Sequence, residues 1–280
     1  MPSLPPNYVM MTKMGHGTFG DVYECRDTNS GRTVAVKAFK EKYDVEAGWD
    51  FSIIRETVHL RMAKDYCKHI VQMYDACIVG RCFFVSMEVM ECSLYKYRQQ
   101  NSTDDSTLVS YARGIVAGVE WLHSHSIMHR DLKLQNILID ANGVCKVADL
   151  GSARHYRSGR RYTLEVCTPQ FRALEVLYGD DHYGLSIDIW SLGCLLYELV
   201  AKKMLFPGDG TAVGQLQVIA ETLGTPTNAS WANVEALPYY NQEFPSPQWM
   251  ASGDCTAANC YGLFRQKKQQ LPPRRPKKQV

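Results

Sequence analysis

Two hydrophobic periods divide this chain. From about Tyr8 to Glu91 the pattern is strand-like and broken by turns. Segments 21–25 (DVYEC) and 33–39 (TVAVKAF) are rich in apolar and β-branched positions, and the polar turn TNSGR between them predicts a hairpin. One helical pattern interrupts the strands: Ile53, Ile54, Val58, Leu60 and Met62 recur at mixed helical spacing over about Phe51 to Met62. Two further strands are expected near 70–78 and 82–89. From Ser93 onward helices dominate, including 106–124 and 187–203. A strand-rich part followed by a helix-rich part predicts an α+β, bilobal chain. There is no internal repeat.

This pattern divides the chain into an N-terminal arm (1–7), a strand-rich lobe (8–91), a helical lobe (92–248) and a tail (249–280). After Pro247 the apolar periodicity disappears, and the chain ends LFRQKKQQLPPRRPKKQV. Seven Lys or Arg and three prolines between Arg265 and Lys278 predict a disordered basic tail. Such a tail is either a solvated terminus or a patch for nuclear import or an acidic partner.

Composition adds exclusions. A length of 280 residues suits one large domain or two small lobes with real cores. The formal net charge of +2 gives no bulk electrostatic pull, so neither nucleic acid nor a membrane is expected as a direct partner. Ten cysteines are scattered without a CxxC pair, and Cys255 and Cys260 have no His or Cys cluster nearby. This predicts reduced, mostly packed thiols and an intracellular protein of the nucleus or cytoplasm. The N-terminus lacks an apolar secretory core, and Pro2 excludes myristoylation. The longest apolar run, Ile189 to Val200, is too short to span a bilayer.

The chemistry starts at residues 15–20, GHGTFG. Alone, this spacing also fits dinucleotide-binding folds and chance turns. A dinucleotide site would need a helix after the glycines and an acid on the next strand. Here the glycines are followed by Asp21-Val22, a second strand, and then Val34-Ala35-Val36-Lys37. Glycines let backbone N–H groups approach phosphate oxygens, and a lysine inside an apolar strand supplies a fixed positive charge. Such a lysine needs a counter-charge, and the helix at 51–62 offers Glu56.

The strongest signal is His129-Arg130-Asp131-Leu132-Lys133-Leu134-Gln135-Asn136, just before the apolar Ile137-Leu138-Ile139. Phosphoryl transfer requires an orienter for the attacking hydroxyl, a cation on the moving phosphate and oxygen ligands for Mg²⁺. Asp131, Lys133 and Asn136 suit those roles in that order. Asp149-Leu150-Gly151 follows eighteen residues after Asp131 and offers a second carboxylate for the metal.

These segments resemble the protein-kinase signature set over about residues 8–247. TLEVCTPQFRALEVLYG, DIWSLGCLLYELV and LFPGDGTAVGQLQVIAETLGTP are similar to the activation segment, buried helix and following insert of cyclin-dependent kinases, and FSIIRE to their cyclin-facing helix. The resemblance implies transfer of the γ-phosphate of Mg-ATP to protein serine or threonine, Lys133 marking that specificity. It implies cell-cycle or transcriptional roles and a cyclin-like regulatory subunit. The nucleotide is expected against Met14, Gly15, His16, Gly17, Thr18, Phe19, Gly20, Asp21, Val22, Ala35, Lys37 and Leu138. Met87 is the expected gatekeeper, with the backbone of Glu88 and Met90 at the adenine edge. Lys37, Glu56, Asp131 and Lys133 are the implied catalytic set, and Asn136 and Asp149 the implied metal ligands. Asp188 is expected to brace the catalytic loop. Thr163 is the implied activating phosphoacceptor, read by Arg55, Arg130 and Arg154. Thr18 matches an inhibitory site whose tyrosine neighbour is replaced by Phe19.

The chain departs from the family in three places. Leu150 stands where the family has Phe. Ala173-Leu174-Glu175 and Pro169-Gln170-Phe171 alter the pocket beyond the phosphoacceptor, while Arg172, which favours a proline-directed substrate, is retained. After Phe244-Pro245 nothing resembles the family's last helices, including the arginine that would pair with Glu175. Loss of a buried partner costs about 3–5 kcal/mol, which leaves a truncated, non-catalytic module that binds a cyclin or scaffold as the alternative expectation.

Overall fold

The computed structural model describes residues 4–16, 20–39 and 51–240. Gly17, Thr18 and Phe19 of the glycine loop, and the tail 249–280, lie outside the described residues.

The strand-rich lobe is a five-stranded antiparallel sheet of order β1-β2-β3-β5-β4. Its strands are β1 (Tyr8–His16), β2 (Gly20–Asp27), β3 (Thr33–Phe39), β4 (Met73–Val79) and β5 (Cys82–Met87). The expected hairpin is present: Arg26 faces Thr33 across the turn. In the turn, the Asp27 side chain accepts from the Asn29 amide and the Ser30 hydroxyl, so local side-chain bonds replace the ladder. The fourth strand starts three residues later than the sequence pattern suggested, because Ile70 forms a bridge to Val147 in the other lobe.

Helix α1 (Phe51–Ala63) follows, and its buried face is mixed: Ile53, Leu60 and Ala63 join the core beside polar side chains. Its buried residues include Ser52, Glu56 and His59, whereas Phe51, Ile54 and Val58 are 68, 42 and 47% exposed. Of the apolar residues whose spacing predicts the helix, Ile53 and Leu60 are buried, whereas Ile54 and Val58 face outward.

The second lobe begins with β6 (Cys92–Ser93) and α2 (Leu94–Gln100), followed by α3 (Asp105–Ser124). Asp104 caps α3 by accepting from the Thr107 amide at 3.0 Å. Leu108, Tyr111, Ile115, Val119 and Leu122 form the buried stripe of α3 at helical spacing. Each such burial contributes about 1.5–3 kcal/mol. Gly118 lets α3 close on the sheet: a Cβ there would sit 2.7 Å from the His69 carbonyl and 2.8 Å from Val147.

Short strands β7 (Ile127–Met128), β8 (Ile137–Ile139), β9 (Cys145–Val147) and β10 (Arg154–His155) frame the loops carrying the sequence motifs. Then come α4 (Leu174–Leu177), the central α5 (Ser186–Ala201) and α6 (Ala212–Leu223). Thr211 caps α6 through its hydroxyl, and Gly224 ends it at a φ of +86°. The main core runs from α1 through α3 and the short strands to α5 and α6. Leu150 is fully buried in it, so leucine fills the place of the family's aromatic residue. The described cysteines are free thiols. Among the described residues, no helix is long and apolar enough to cross a membrane.

Candidate active site

Lys37 lies on β3 between two partner strands, opposite Val22 on one side and Val85 on the other. That setting buries its stem and leaves the ammonium tip to find an anion. Nζ meets both carboxylate oxygens of Glu56 at 2.7 and 2.8 Å. Burial pushes the Glu56 carboxyl above its usual range, the Asp149 charge adds to this, and Lys37 opposes both. A carboxylate buried this deeply persists as an ion only beside its cation, so the pair ties α1 to the sheet.

The motif at 129–136 forms a tight loop held from below by Asp188, in the first turn of α5. Fully buried, Asp188 accepts the amides of His129 at 2.7 Å and Arg130 at 2.8 Å, and Nε2 of His123 lies 2.9 Å away. Burial alone would raise its carboxyl; the bond with His123 and nearby histidine charge outweigh that and hold it below the usual range. Arg130 adopts a φ of +68°, which turns the chain so that Asp131 and Lys133 face the cleft.

Both oxygens of Asp131 are engaged. Oδ1 accepts from the Thr168 amide at 3.0 Å and its hydroxyl at 2.9 Å. Oδ2 accepts from Asn136 Nδ2 at 3.0 Å and lies 2.8 Å from Lys133 Nζ. Burial works against this carboxylate, but Lys133 and Thr168 more than offset it and lower its pKa. Lys133 also donates to the Thr168 hydroxyl at 2.8 Å. The hydroxyl of Thr168 is thus held between the lysine and the aspartate. Sequence reading missed Thr168; thirty-seven residues separate it from Asp131, and no local pattern marks it.

Asp149 stands beside this group. The Ala148 amide donates to the Asn136 carbonyl at 2.9 Å, and His129 Nε2 lies 3.0 Å from the Ala148 carbonyl. Asp149 adopts φ 59°, ψ 67°, a left-handed conformation that costs a non-glycine residue about 1–3 kcal/mol. Its Oδ1 is buried and accepts no hydrogen bond among the described residues. A Cβ on Gly151 would sit 3.5 Å from that oxygen and 3.7 Å from Glu56 Oε2, so the two carboxylates flank one point. Asn136 gives its Nδ2 to the carbonyl and carboxylate of Asp131, leaving its amide oxygen as a ligand atom. An orphaned buried carboxylate oxygen on Asp149 and the amide oxygen of Asn136 are the donor types that suit a hard cation such as Mg²⁺.

At the edge between the lobes, Met87 ends β5 opposite Ala35. The Glu88 amide donates to the Gln72 carbonyl at 3.0 Å. The Glu88 carboxylate accepts from the Gln72 amide at 2.7 Å and contacts Lys146 Nζ at 2.5 Å. The side chain of Glu88 is therefore anchored away from the cleft. Lys146, unmarked by any motif, fixes the segment from behind. Met90 is buried one step further on. Leu138 is half-buried on β8, Gly15 pairs with Val22, and Asp21 is ion-paired with Lys13 at 3.0 Å. Met14 is exposed and His16 closes β1.

Thr163 is exposed. Arg130 and Arg154 are electrostatic neighbours, joined by Arg160; burial and these two charges lower the Arg154 pKa. Arg154 Nε is buried with no hydrogen bond among the described residues. Arg55 Nε donates to the Gly151 carbonyl at 3.1 Å, tying α1 to the segment after Asp149. Glu175 accepts from the Ser186 hydroxyl at 2.9 Å.

Comparison with known proteins matches the protein kinase domain family over residues 8–269. This chain belongs to the protein kinase domain family. A chain of the CAK complex from Chaetomium thermophilum, solved bound to ATP-gamma-S, superposes with a TM-score of 0.80 at 28% identity, covering 92% of this chain and 84% of that one. That likeness accords with the resemblance to cyclin-dependent kinases read from the sequence. The family implies use of ATP.

Proposed function

We propose that this chain is a serine/threonine kinase of the cyclin-dependent type, transferring the γ-phosphate of Mg-ATP to protein hydroxyls. The observation that carries this reading is the formed Lys37–Glu56 pair beside a buried Asp149 oxygen with no partner among the described residues. Lys37 would hold the α- and β-phosphates beneath the glycine loop. The Glu88 carbonyl and Met90 backbone would bind the adenine edge, the Glu88 amide being already engaged with Gln72. Asn136 and Asp149 would hold Mg²⁺, which when bound neutralises phosphate charge. Asp131, kept ionised by Lys133 and Thr168, would orient the acceptor hydroxyl and take its proton. Lys133 would then stabilise the charge on the transferring phosphoryl group.

Substrate preference follows from the backbone. Cys167 adopts a φ of +60°, and its carbonyl accepts from Arg172 Nη2 at 3.0 Å. With that acceptor taken, an ordinary residue after the target hydroxyl would bury an unmet N–H, whereas proline has none. This supports a proline-directed substrate. The exposed stripe Phe51, Ile54 and Val58 on α1 supports a cyclin-like regulatory subunit. The positive charge around Arg154 supports phosphorylation of Thr163, since a phosphate would satisfy that cluster.

The test is γ-phosphate transfer by the purified protein, with and without candidate cyclins, beside an Asp149→Asn control. Transfer that the substitution abolishes is expected, as is thermal stabilisation requiring both Mg²⁺ and nucleotide. Stabilisation by nucleotide that is indifferent to Mg²⁺ and to Asp149 would refute the metal assignment.

A further inference from the structure

The segment that carries Thr163 is exposed, yet its backbone is held by a buried side chain outside the sequence motifs. Tyr183, in the turn before α5, is 1% exposed. Its hydroxyl donates to the Thr163 carbonyl at 2.7 Å and accepts from Arg130 Nη1 at 3.1 Å. Its ring lies 5.2 Å from that of Tyr162 at 32°, and Tyr162 is itself buried. The Tyr162 amide donates to the Asp181 carbonyl at 2.7 Å, and its hydroxyl accepts from the Arg157 amide at 2.8 Å.

Arg130 is a fixed anchor at the other end. Its amide is held by Asp188, and its Nε donates to the Ser152 carbonyl at 2.7 Å. A continuous path therefore runs from α5 through Asp188, Arg130 and Tyr183 to Thr163. Five residues further along the chain, Thr168 sits on Asp131. Every link uses hydroxyl, carbonyl, amide, carboxylate or guanidinium groups already in the chain. None of them requires charge on Thr163.

We propose that Tyr183 is a positioning residue that holds Thr163, and with it the Cys167–Thr168 platform, in working order without a phosphate. The inference rests on the kinase reading above and adds a mode of regulation to it. A phosphate on Thr163 and the Tyr183 hydroxyl would converge on the same guanidinium, that of Arg130. The two devices are thus partly redundant: the hydroxyl sustains basal turnover, and the phosphate reinforces it. Losing the hydroxyl matters most when the phosphate cannot be added.

The experiment compares Tyr183→Phe in a Thr163→Ala background with Tyr183→Phe in protein phosphorylated on Thr163. In the first pair, Tyr183→Phe is expected to raise KM for the protein substrate about tenfold with KM for ATP unchanged, the size expected for one hydrogen bond to a charged group. In phosphorylated protein the change is expected to be within about threefold. Amide hydrogen exchange over residues 162–168 is measured alongside and is expected to speed up in Thr163→Ala/Tyr183→Phe relative to Thr163→Ala. Unchanged exchange overturns the proposal, as does an equal KM change for both substrates or an equal effect with and without phosphate. If no form turns over, the kinase reading fails while exchange still judges the clamp. If Tyr183→Phe lowers the folded yield, Tyr162→Leu, which removes the ring partner and keeps the Tyr183 hydroxyl, is read in the same exchange assay; exchange over residues 163–168 equal to that of its parent is expected, and faster exchange there overturns the clamp.

Discussion

His59 makes α1 acid-sensitive. It is 3% exposed, and its ring lies 5.4 Å from that of His155 on β10. Its Nδ1 is buried with no hydrogen bond among the described residues. Burial, with the positive fields of His155 and Arg55 added, pushes the imidazole down to about 4. The ring is therefore neutral in the folded protein, while the unfolded chain binds a proton near pH 6.5. A depressed folded pKa means this contribution is complete above pH 6.5 and is lost as pH falls towards 4. Between pH 7 and pH 5 the loss comes to about 2 kcal/mol. For a chain of this size that corresponds to a fall of about 4–8 °C in melting temperature. His59→Leu removes the titration and keeps a side chain of similar size, at the loss of one hydrogen bond to the Arg55 backbone that is equal at every pH at which the ring is neutral. Glu56 and Glu198, whose carboxyls burial holds up, act in the opposite sense in both proteins and cancel in the difference. The assay is calorimetric melting of both proteins at pH 7, 6 and 5. The parent should lose about 2 kcal/mol more than His59→Leu over that range. Parallel losses would refute the reasoning.

Two other perturbations probe the scaffold. Asp188→Ala leaves the buried donors of His129, Arg130 and His123 unmet, and should cost about 3–5 kcal/mol in denaturant unfolding; a loss below 1 kcal/mol would contradict its role as the hub. Gly118→Ala drives a Cβ against the His69 carbonyl and should cost about 1–3 kcal/mol, read as a lower melting temperature with unchanged cysteine accessibility elsewhere.

Much of the site was legible because its parts are local. Asp131, Lys133 and Asn136 sit within six consecutive positions, and Lys37 stands out as a charge inside an apolar strand. The assignment of Glu56 to Lys37 needed a partner nineteen residues away, and only the order of motifs suggested it. Helix α1 was legible as a helix but not in its orientation. Phe51, Ile54 and Val58 face outward, and Ser52, Glu56 and His59 face in together with Ile53, Leu60 and Ala63. Hydrophobic periodicity assumes one apolar face; here the inward face serves both the core and a charged pair, and apolar residues are left outside.

By itself, the sequence determined the order of elements, the turn chemistry and the residue types able to hold phosphate, metal and proton, because these depend on neighbours a few residues apart. Tertiary structure decided which of them meet. Thr168 on Asp131, Lys146 behind Glu88 and Tyr183 on Thr163 are each joined across twenty to fifty-eight residues. Contacts at that range are set by how α1, α3 and α5 pack around the short strands, and no period along the chain encodes them.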